Sequence, residues 1–287
     1  MQDAHPIRGL EGRRFYLAVL TLVISVGLAS LDSSIANTAL PTIARDVNAS
    51  PAASVWVVNA YQLALVVSLL PLAALGEIVG YRRIYIGGLA LFTLASLLCA
   101  LSWSLPTLTA ARVIQGFGAS GIMSVNTALI RFIYPSNRLG RGVGNNALVV
   151  GVATATGPSV AAGILSLGPW PWLFAVNLPL GLIALLVALK ALPDSLHVAH
   201  RFDWGSAALN AVTFGALIFG IGEAAHEANP VVTVLSLAVT IAAGAALIWR
   251  ELGEKAPMFP VDLYRRPMFA LSSGTALCAF AAQGLAF

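Results

Sequence analysis

Long apolar runs separated by short polar loops are the feature that most restricts how this chain can fold. The first run, residues 15–40, is long enough to cross a bilayer as a helix, which takes about 20 residues at about 1.5 Å each. Further candidate spans follow at residues 53–76, 84–104, 106–133, 142–167, 172–192, 204–224 and 231–249, and another starts at Phe269. Charged residues make up only 10% of the chain, against about 25% in soluble proteins. The pattern predicts an all-α integral membrane protein.

The distribution of basic residues predicts the orientation of the spans. Most of the 16 Lys and Arg residues fall in loops on the same side as the N-terminus, whereas Arg45 lies on the other side and Arg112 inside a span. Because cytoplasmic loops are rich in Lys and Arg, we expect a cytoplasmic N-terminus in a multi-pass protein of the cell (inner or plasma) membrane. A cleavable signal peptide is the alternative, but the run at 15–40 is longer than a signal core of about 7–15 residues.

Several classes of function find no support in the residues. The chain contains no G-x-x-x-x-G-K-[ST] loop, so we expect no ATP site of that kind, and no metal or cofactor site is expected either. The net charge of +4 comes from short loops and does not predict binding to nucleic acid. A membrane enzyme would need Asp, Glu or His residues clustered at one membrane face, and the chain offers no such cluster. We therefore do not expect an enzyme.

Asp32 is the most informative single residue because it interrupts an apolar span. A carboxylate at that depth costs roughly 3 kcal/mol on insertion, and such residues usually have a function. The alternative is that the span ends earlier and leaves Asp32 at the wet interface, but the apolar segment Ile35–Leu40 argues against it. We predict that Asp32 loads and releases protons.

Arg112 is the second charge predicted inside the membrane, in the same leaflet as Asp32. The two residues can approach each other if the first and fourth spans are neighbours. Burial and a cationic partner change the proton affinity of a carboxylate in opposite directions, and the sequence leaves open which effect prevails. The alternative for Arg112 is that its side chain extends to the outer headgroups.

Other residues give weaker indications. Small residues after Arg112 and throughout the fifth span predict close helix packing, and Pro158, which follows Gly157, predicts a bend. Polar and aromatic residues of the first two spans are candidates for lining a wet cavity, although Trp and Tyr near span ends more often form the interfacial belt. These cavity candidates are Asn37, Trp56, Asn59, Tyr61 and Gln62.

Six segments, spread over nearly the whole chain, carry motifs in a consistent order. They are LDSSIANTALP (31–41), LTAARVIQGFGAS (108–120), ATATGPSVAAG (153–163), WPWLFAVNLPLG (170–181), FDWGSAALNAVTFG (202–215) and PMFPVDLYRRPMFALS (257–272). These motifs resemble those of the major facilitator superfamily, specifically its fourteen-span branch of drug:proton antiporters, and are similar to exporters of methyl viologen and quaternary ammonium compounds.

The resemblance implies a domain organisation. It comprises a six-helix N-terminal bundle over 1–192, a cytoplasmic linker over 193–203, two additional spans over 204–250, a cytoplasmic loop over 251–268 and the start of a second bundle over 269–287. Since transporters of this kind need two bundles rocking around a central site, we expect a C-terminally truncated fragment that does not transport alone. The alternative is a short membrane protein that acts as an interaction or regulatory partner of a full-length transporter.

The resemblance also implies proton-coupled efflux of small lipophilic cations, with roles for individual residues. Asp32 would alternate between proton and cation, Arg112 and Gln115 would tune or relay the proton, and Gly157 with Pro158 would form the bend. The loop between the second and third spans departs from the family pattern G-x-L-A-D-R-x-G-R-R, because it reads ALGEIVGYRR (74–83). The cytoplasmic gate would then depend on Glu77, Gly80, Arg82 and Arg83.

Overall fold

A computed structural model describes residues 9–195, 202–225, 230–252 and 261–286, and these residues contain helices and no strands. The helices are α1 (Gly12–Asp46), α2 (Pro51–Ser54), α3 (Trp56–Val79), α4 (Tyr81–Ala100), α5 (Leu105–Ile133), α6 (Leu139–Leu167), α7 (Trp172–Ala175), α8 (Asn177–Ala191), α9 (Trp204–Ala225), α10 (Pro230–Glu251) and α11 (Pro267–Ala286). Short 3₁₀ turns cover Ser136–Arg138 and Val261–Arg265. Eight segments of this described part are long and apolar enough to cross a membrane. The predicted all-α membrane fold is confirmed.

Most spans begin a few residues before the apolar run that predicted them. Pro51, Pro230 and Pro267 are the first residues of α2, α10 and α11. Proline is well suited to a first helical turn, because the N–H group that it lacks would have no partner there. Apolarity alone therefore places these starts too late.

Two predicted spans consist of a short helix that continues into a longer one. Val55 joins α2 to α3 and Val176 joins α7 to α8, and both keep right-handed helical dihedral angles. Pro179 accounts for the second junction, because it has no N–H to donate to the carbonyl of Ala175. Asn177, the first residue of α8, lies directly after this junction.

The chain divides into two compact units between Phe202 and Asp203. In the first unit, α5 packs against α3 and α4, while α1 packs against α6 and α8 and also contacts α3 and α5. The crossing of α4 and α5 is close: a Cβ atom added to Gly88 would lie 2.7 Å from the Cα atom of Gly121. The small residues of the fourth span thus permit contact between helix backbones.

The second unit contains α9, which packs against α10, and α11. Asp203 caps the start of α9 by accepting hydrogen bonds from the backbone N–H groups of Gly205 and Ser206, at 2.9 and 3.2 Å. Arg250, near the end of α10, donates from Nε and Nη2 to the same carboxylate at 3.0 Å. These bonds hold the pKa of Asp203 below its usual range and tie the two helices together. Parts of the predicted linker 193–203 and loop 251–268, residues 196–201 and 253–260, lie outside the described residues.

Candidate functional site

Five polar side chains from α1, α4, α5 and α8 meet inside the first unit and form what we call the central cluster. All are buried, with relative exposures of 0–1%. The members are Asp32, Ser96, Arg112, Gln115 and Asn177. The structure thus joins the two charges that the sequence predicts inside the membrane, and surrounds them with three neutral side chains.

The carboxylate of Asp32 accepts hydrogen bonds from three side chains. Arg112 Nη1 donates to Oδ2 at 2.5 Å, Gln115 Nε2 donates to Oδ1 at 2.9 Å, and Asn177 Nδ2 donates to Oδ1 at 2.7 Å. Arg112 and Gln115 are three residues apart and therefore share a face of α5. The carboxylate is 1% exposed, so neither bulk water nor lipid reaches it in this conformation.

Arg112 is enclosed by its partners and does not extend to the headgroups. Its Nη1 also donates to Gln115 Oε1 at 2.7 Å, and its Nε donates to the carbonyl of Val57 at 3.1 Å. The guanidinium carbon lies 4.1 Å from the ring centroid of Tyr61 and 5.6 Å from that of Phe174. An aromatic face attracts a cation, so these rings replace part of the hydration that burial removes.

Each charge of the central cluster is the counter-ion of the other, and both are buried. Removing two ions from water costs several kcal/mol for each ion, and this is offset only by close pairing and further hydrogen bonds. Loss of one partner from a buried pair typically costs about 3–5 kcal/mol, because the other charge is left uncompensated. A change in the charge of Asp32 therefore has large energetic consequences for the bundle.

The predicted cavity residues do not all share one environment. Asn37, Trp56 and Gln62 are exposed and Asn59 is partly exposed. Gln62 Nε2, on α3, lies 3.5 Å from Ser33 Oγ, on α1. Tyr61, in contrast, is 1% exposed and packs against Arg112, so it belongs to the surroundings of the central cluster.

The part of α6 where Pro158 predicts a bend is joined to α1 by a hydrogen bond. Pro158 lacks the N–H group that would bond to the carbonyl of Thr154, one turn earlier. Ser34 Oγ, from α1, donates to that carbonyl at 2.9 Å. Gly157 permits the approach, because a Cβ atom added there would collide with the Ser34 side chain. The hydroxyl of Ser34, two residues after Asp32, thus replaces the missing bond.

We predict that Ser34→Ala lowers the free energy of unfolding by about 1 kcal/mol, since the carbonyl of Thr154 then loses its donor. Thr38→Ala is the matched control on the same helix: the Thr38 hydroxyl donates to the carbonyl of Ser34, which the helix already supplies with an N–H. Unfolding in detergent, followed by circular dichroism, measures both variants. Equal losses for the two variants would contradict the special role of the Ser34 bond.

The predicted gating loop joins α3 to α4. Gly80 connects the two helices with φ +107°, a conformation that favours glycine. Glu77 and Arg83 are exposed, and Arg83 Nη1 lies 3.4 Å from the carbonyl of Val79. Arg82 is the member of the predicted set that contacts a distant part of the chain.

Arg82 and Tyr81 connect this loop to the end of α8 and the residues that follow it. Arg82 donates to the carbonyl of Leu189 and to Asp194 Oδ1, both at 2.6 Å. The hydrogen bond from Arg82 holds the pKa of Asp194 below its usual range. The backbone N–H of Tyr81 donates to Ser195 Oγ at 2.8 Å. A cation and a hydroxyl therefore satisfy groups at the C-terminal end of α8 and the N-terminal end of α4 that the helices leave without partners.

Asn177, Ser96 and Asp194 are members of these networks that the sequence does not single out. Asn177 stands in the segment WPWLFAVNLPLG, where a lone amide in an apolar run is the available signal. Ser96 accepts from Gln115 Nε2 at 2.9 Å and donates to the carbonyl of Phe92. Within the described part of the chain, no group of three or more His, Cys, Asp or Glu residues is placed to hold a metal ion.

Comparisons with known proteins agree with this architecture. The sequence model of the family described as the Major Facilitator Superfamily matches residues 22–287. The uncharacterized transporter YebQ of Escherichia coli K12 is 52% identical over 280 residues, which cover 97% of this chain and 61% of YebQ. The multidrug resistance protein Stp of Mycobacterium tuberculosis is 32% identical over 268 residues, which cover 91% of this chain and 50% of Stp.

A solved structure shares the fold. The crystal structure of the peptide transporter POT in complex with sulfate aligns with a TM-score of 0.60 at 14% identity, over 91% of this chain and 55% of that one. The chain spans 61% and 50% of the length of the two curated relatives. On the family match and the similarity to YebQ, the chain belongs to the Major Facilitator Superfamily of membrane transporters.

Proposed function

We propose that this chain is part of a proton-coupled exporter of lipophilic organic cations, in which Asp32 is the proton carrier. The observation that carries the proposal is the buried pair of Asp32 and Arg112. An ionisable pair inside a span is costly and usually functional. Support for efflux comes from Stp, which is named a multidrug resistance protein.

A proton on Asp32 acts by removing the negative half of the pair. Arg112 then remains as an uncompensated buried charge, a situation that costs about 3–5 kcal/mol. At about 1.4 kcal/mol for each factor of ten, this energy changes a conformational equilibrium roughly a hundred- to several-thousand-fold. Such a change is large enough to bias a transporter from one conformation to another.

The transported cation binds apart from Asp32 in this conformation. Asp32 is sealed by its three donors and is 1% exposed, so the direct exchange of proton and cation expected from the family resemblance needs a different conformation. The exposed polar positions on α1 and α3 are the better candidates for first contact. Trp56, 39% exposed, offers an aromatic face to a quaternary ammonium group.

The wider organisation is also a proposal. Residues 1–192 would form the N-terminal bundle, residues 204–250 two additional spans, and residues from 269 the start of a second bundle. The protein would lie in the cell (inner or plasma) membrane, with its N-terminus in the cytoplasm as the distribution of basic residues indicates. The residues at the end of α8 and the loop at Glu77–Arg83 would then lie at the cytoplasmic face.

Asp32→Asn in the full-length protein tests the role of Asp32. An amide carries no titrating proton, so we expect at least a tenfold loss of dye accumulation driven by a proton gradient, by analogy with loss of a positioned acid–base group. Purified protein in liposomes and a fluorescent quaternary ammonium dye provide the measurement. Asp46→Asn, at the exposed end of the same helix, is the matched control and should transport normally. Undiminished transport by well-folded Asp32→Asn would remove Asp32 from the mechanism.

A further inference from the structure

Asn177 is the amide of the central cluster that makes hydrogen bonds through only one of its two polar atoms; Arg112 Nη2 also lacks a partner among the described residues. Asn177 Nδ2 donates to Asp32 Oδ1 at 2.7 Å and lies 3.5 Å from Ser96 Oγ. Its Oδ1 is buried and has no hydrogen-bond partner among the described residues. The orientation of the amide is determined by chemistry, because an ionised carboxylate only accepts hydrogen bonds. Burying an acceptor without a donor costs free energy, so the unpaired position of Asn177 Oδ1 needs a physical explanation.

Gln115, the other amide on the same carboxylate oxygen, is fully engaged. Its Nε2 donates to Asp32 and Ser96, while its Oε1 accepts from Arg112 Nη1 at 2.7 Å and lies 3.4 Å from Cys99 Sγ. Turning this amide would face its NH₂ group towards the guanidinium. Gln115 is therefore held in one orientation, whereas no bond to Oδ1 holds Asn177.

Protonation of Asp32 creates a mismatch at Oδ1. A carboxylic acid has an O–H that must donate, yet the two groups at Oδ1, the amides of Gln115 and Asn177, both present N–H donors. At Oδ2 the partner is Arg112, which has no acceptor. Without a rearrangement, the new O–H would point at another hydrogen-bond donor and would have no acceptor.

Titratable groups on the surrounding helices do not supply the missing acceptor. On α5 Arg112 is a donor only, and on α3 the hydroxyl of Tyr61 is directed to the carbonyl of Ala29 at 3.3 Å. On α4 the thiol of Cys99 lies against Gln115. The charged residues of α6 and α8 lie in their terminal turns: these are Arg141 and Lys190.

We propose that Asn177 is an amide switch that follows the protonation of Asp32. When Asp32 binds a proton at Oδ1, the Asn177 amide turns by about 180° about its terminal torsion, which is a broad, roughly two-fold rotation. Asn177 Oδ1 then accepts the hydrogen bond from the new O–H. Asp32 gains one proton from the medium, which forms its new O–H bond. All other changes are exchanges of hydrogen bonds. Asn177 is thus a positioning residue that lets the central cluster hold either protonation state, and its role rests on the proposed proton function.

Infrared spectroscopy tests the switch on full-length protein in lipid, with the side-chain carbonyls of asparagine labelled with ¹³C. The measured quantity is the difference between spectra at neutral and at acidic pH. We expect a label-sensitive asparagine carbonyl band that appears with the same midpoint as the carboxylic acid band of Asp32. Both bands should vanish in Asp32→Asn. Asn177→Leu, which preserves the approximate shape of the side chain, should lose the asparagine band and shift the acid band, because the acid has lost its acceptor. Proton-driven dye efflux should fall about tenfold, as expected for one hydrogen bond to a charged group.

Asn126→Leu is the matched control. Asn126 is another buried asparagine, and it donates to Asn146 Oδ1 at 2.8 Å, so its removal should leave both bands in place. An Asp32 band without an accompanying asparagine band, or an asparagine band that survives in Asn177→Leu, would overturn the switch and leave proton coupling intact. If no Asp32 band titrates and Asp32→Asn still transports, the proposed function and the switch are both wrong.

Discussion

Arg112→Gln is expected to lower the free energy of unfolding by about 3–5 kcal/mol, because it leaves the carboxylate of Asp32 buried without its cation. Gln retains hydrogen-bonding groups but not the charge. It also cannot reproduce both the bond to Asp32 and the bond to the carbonyl of Val57. Unfolding by SDS in mixed micelles, followed by circular dichroism, measures the loss.

The double variant Asp32→Asn/Arg112→Gln separates charge from packing. If the two charges stabilise each other, the double variant should lose less than the sum of the single variants, with a coupling free energy of about 2–3 kcal/mol. Asp194→Asn is the matched control, since it breaks an ion pair whose carboxylate is largely exposed and should have little effect. Additive losses at Asp32 and Arg112 would show that the pair contributes little beyond its separate packing.

The sequence predicts the two charges of the central cluster and Gln115, but not Ser96 or Asn177. Asp32 and Arg112 are conspicuous because an ionised group stands out in an apolar span, and their similar depth predicts a shared leaflet. Asn177 lies 145 residues from Asp32, and its polarity alone is too weak a signal to pair it with a particular carboxylate. The missing information is the arrangement of the helices.

Pro158 in α6 illustrates the same limit. Pro158 predicts from the sequence that a carbonyl one turn earlier lacks its N–H donor. The sequence does not predict that Ser34, from a helix more than a hundred residues away, supplies the replacement. The local consequence of a residue type is predictable, whereas the tertiary compensation depends on the crossing of α1 and α6.

Substitution of alanine for the two adjacent glycines of α4, Gly87 and Gly88, should change the free energy of unfolding in opposite directions. A Cβ atom on Gly88 would lie 2.7 Å from the Cα atom of Gly121 and 2.8 Å from the carbonyl oxygen of Gly118, both in the backbone of α5. Backbone atoms cannot move aside as a side chain can, so Gly88→Ala should force α4 and α5 apart at a cost of about 1–3 kcal/mol. The separation would also disturb the central cluster, because α4 carries Ser96 and α5 carries Arg112 and Gln115.

Gly87→Ala is the matched control, because it places alanine in the same helix away from the contact with α5. Gly87 is exposed, and a Cβ atom added there meets no heavy atom within 4 Å. Since alanine has a higher helix propensity than glycine, Gly87→Ala should raise the free energy of unfolding by about 0.5–1 kcal/mol. SDS unfolding of the two variants side by side gives the comparison. A loss at position 87 as large as that at position 88 would mean that helix composition, and not the contact between α4 and α5, governs the response.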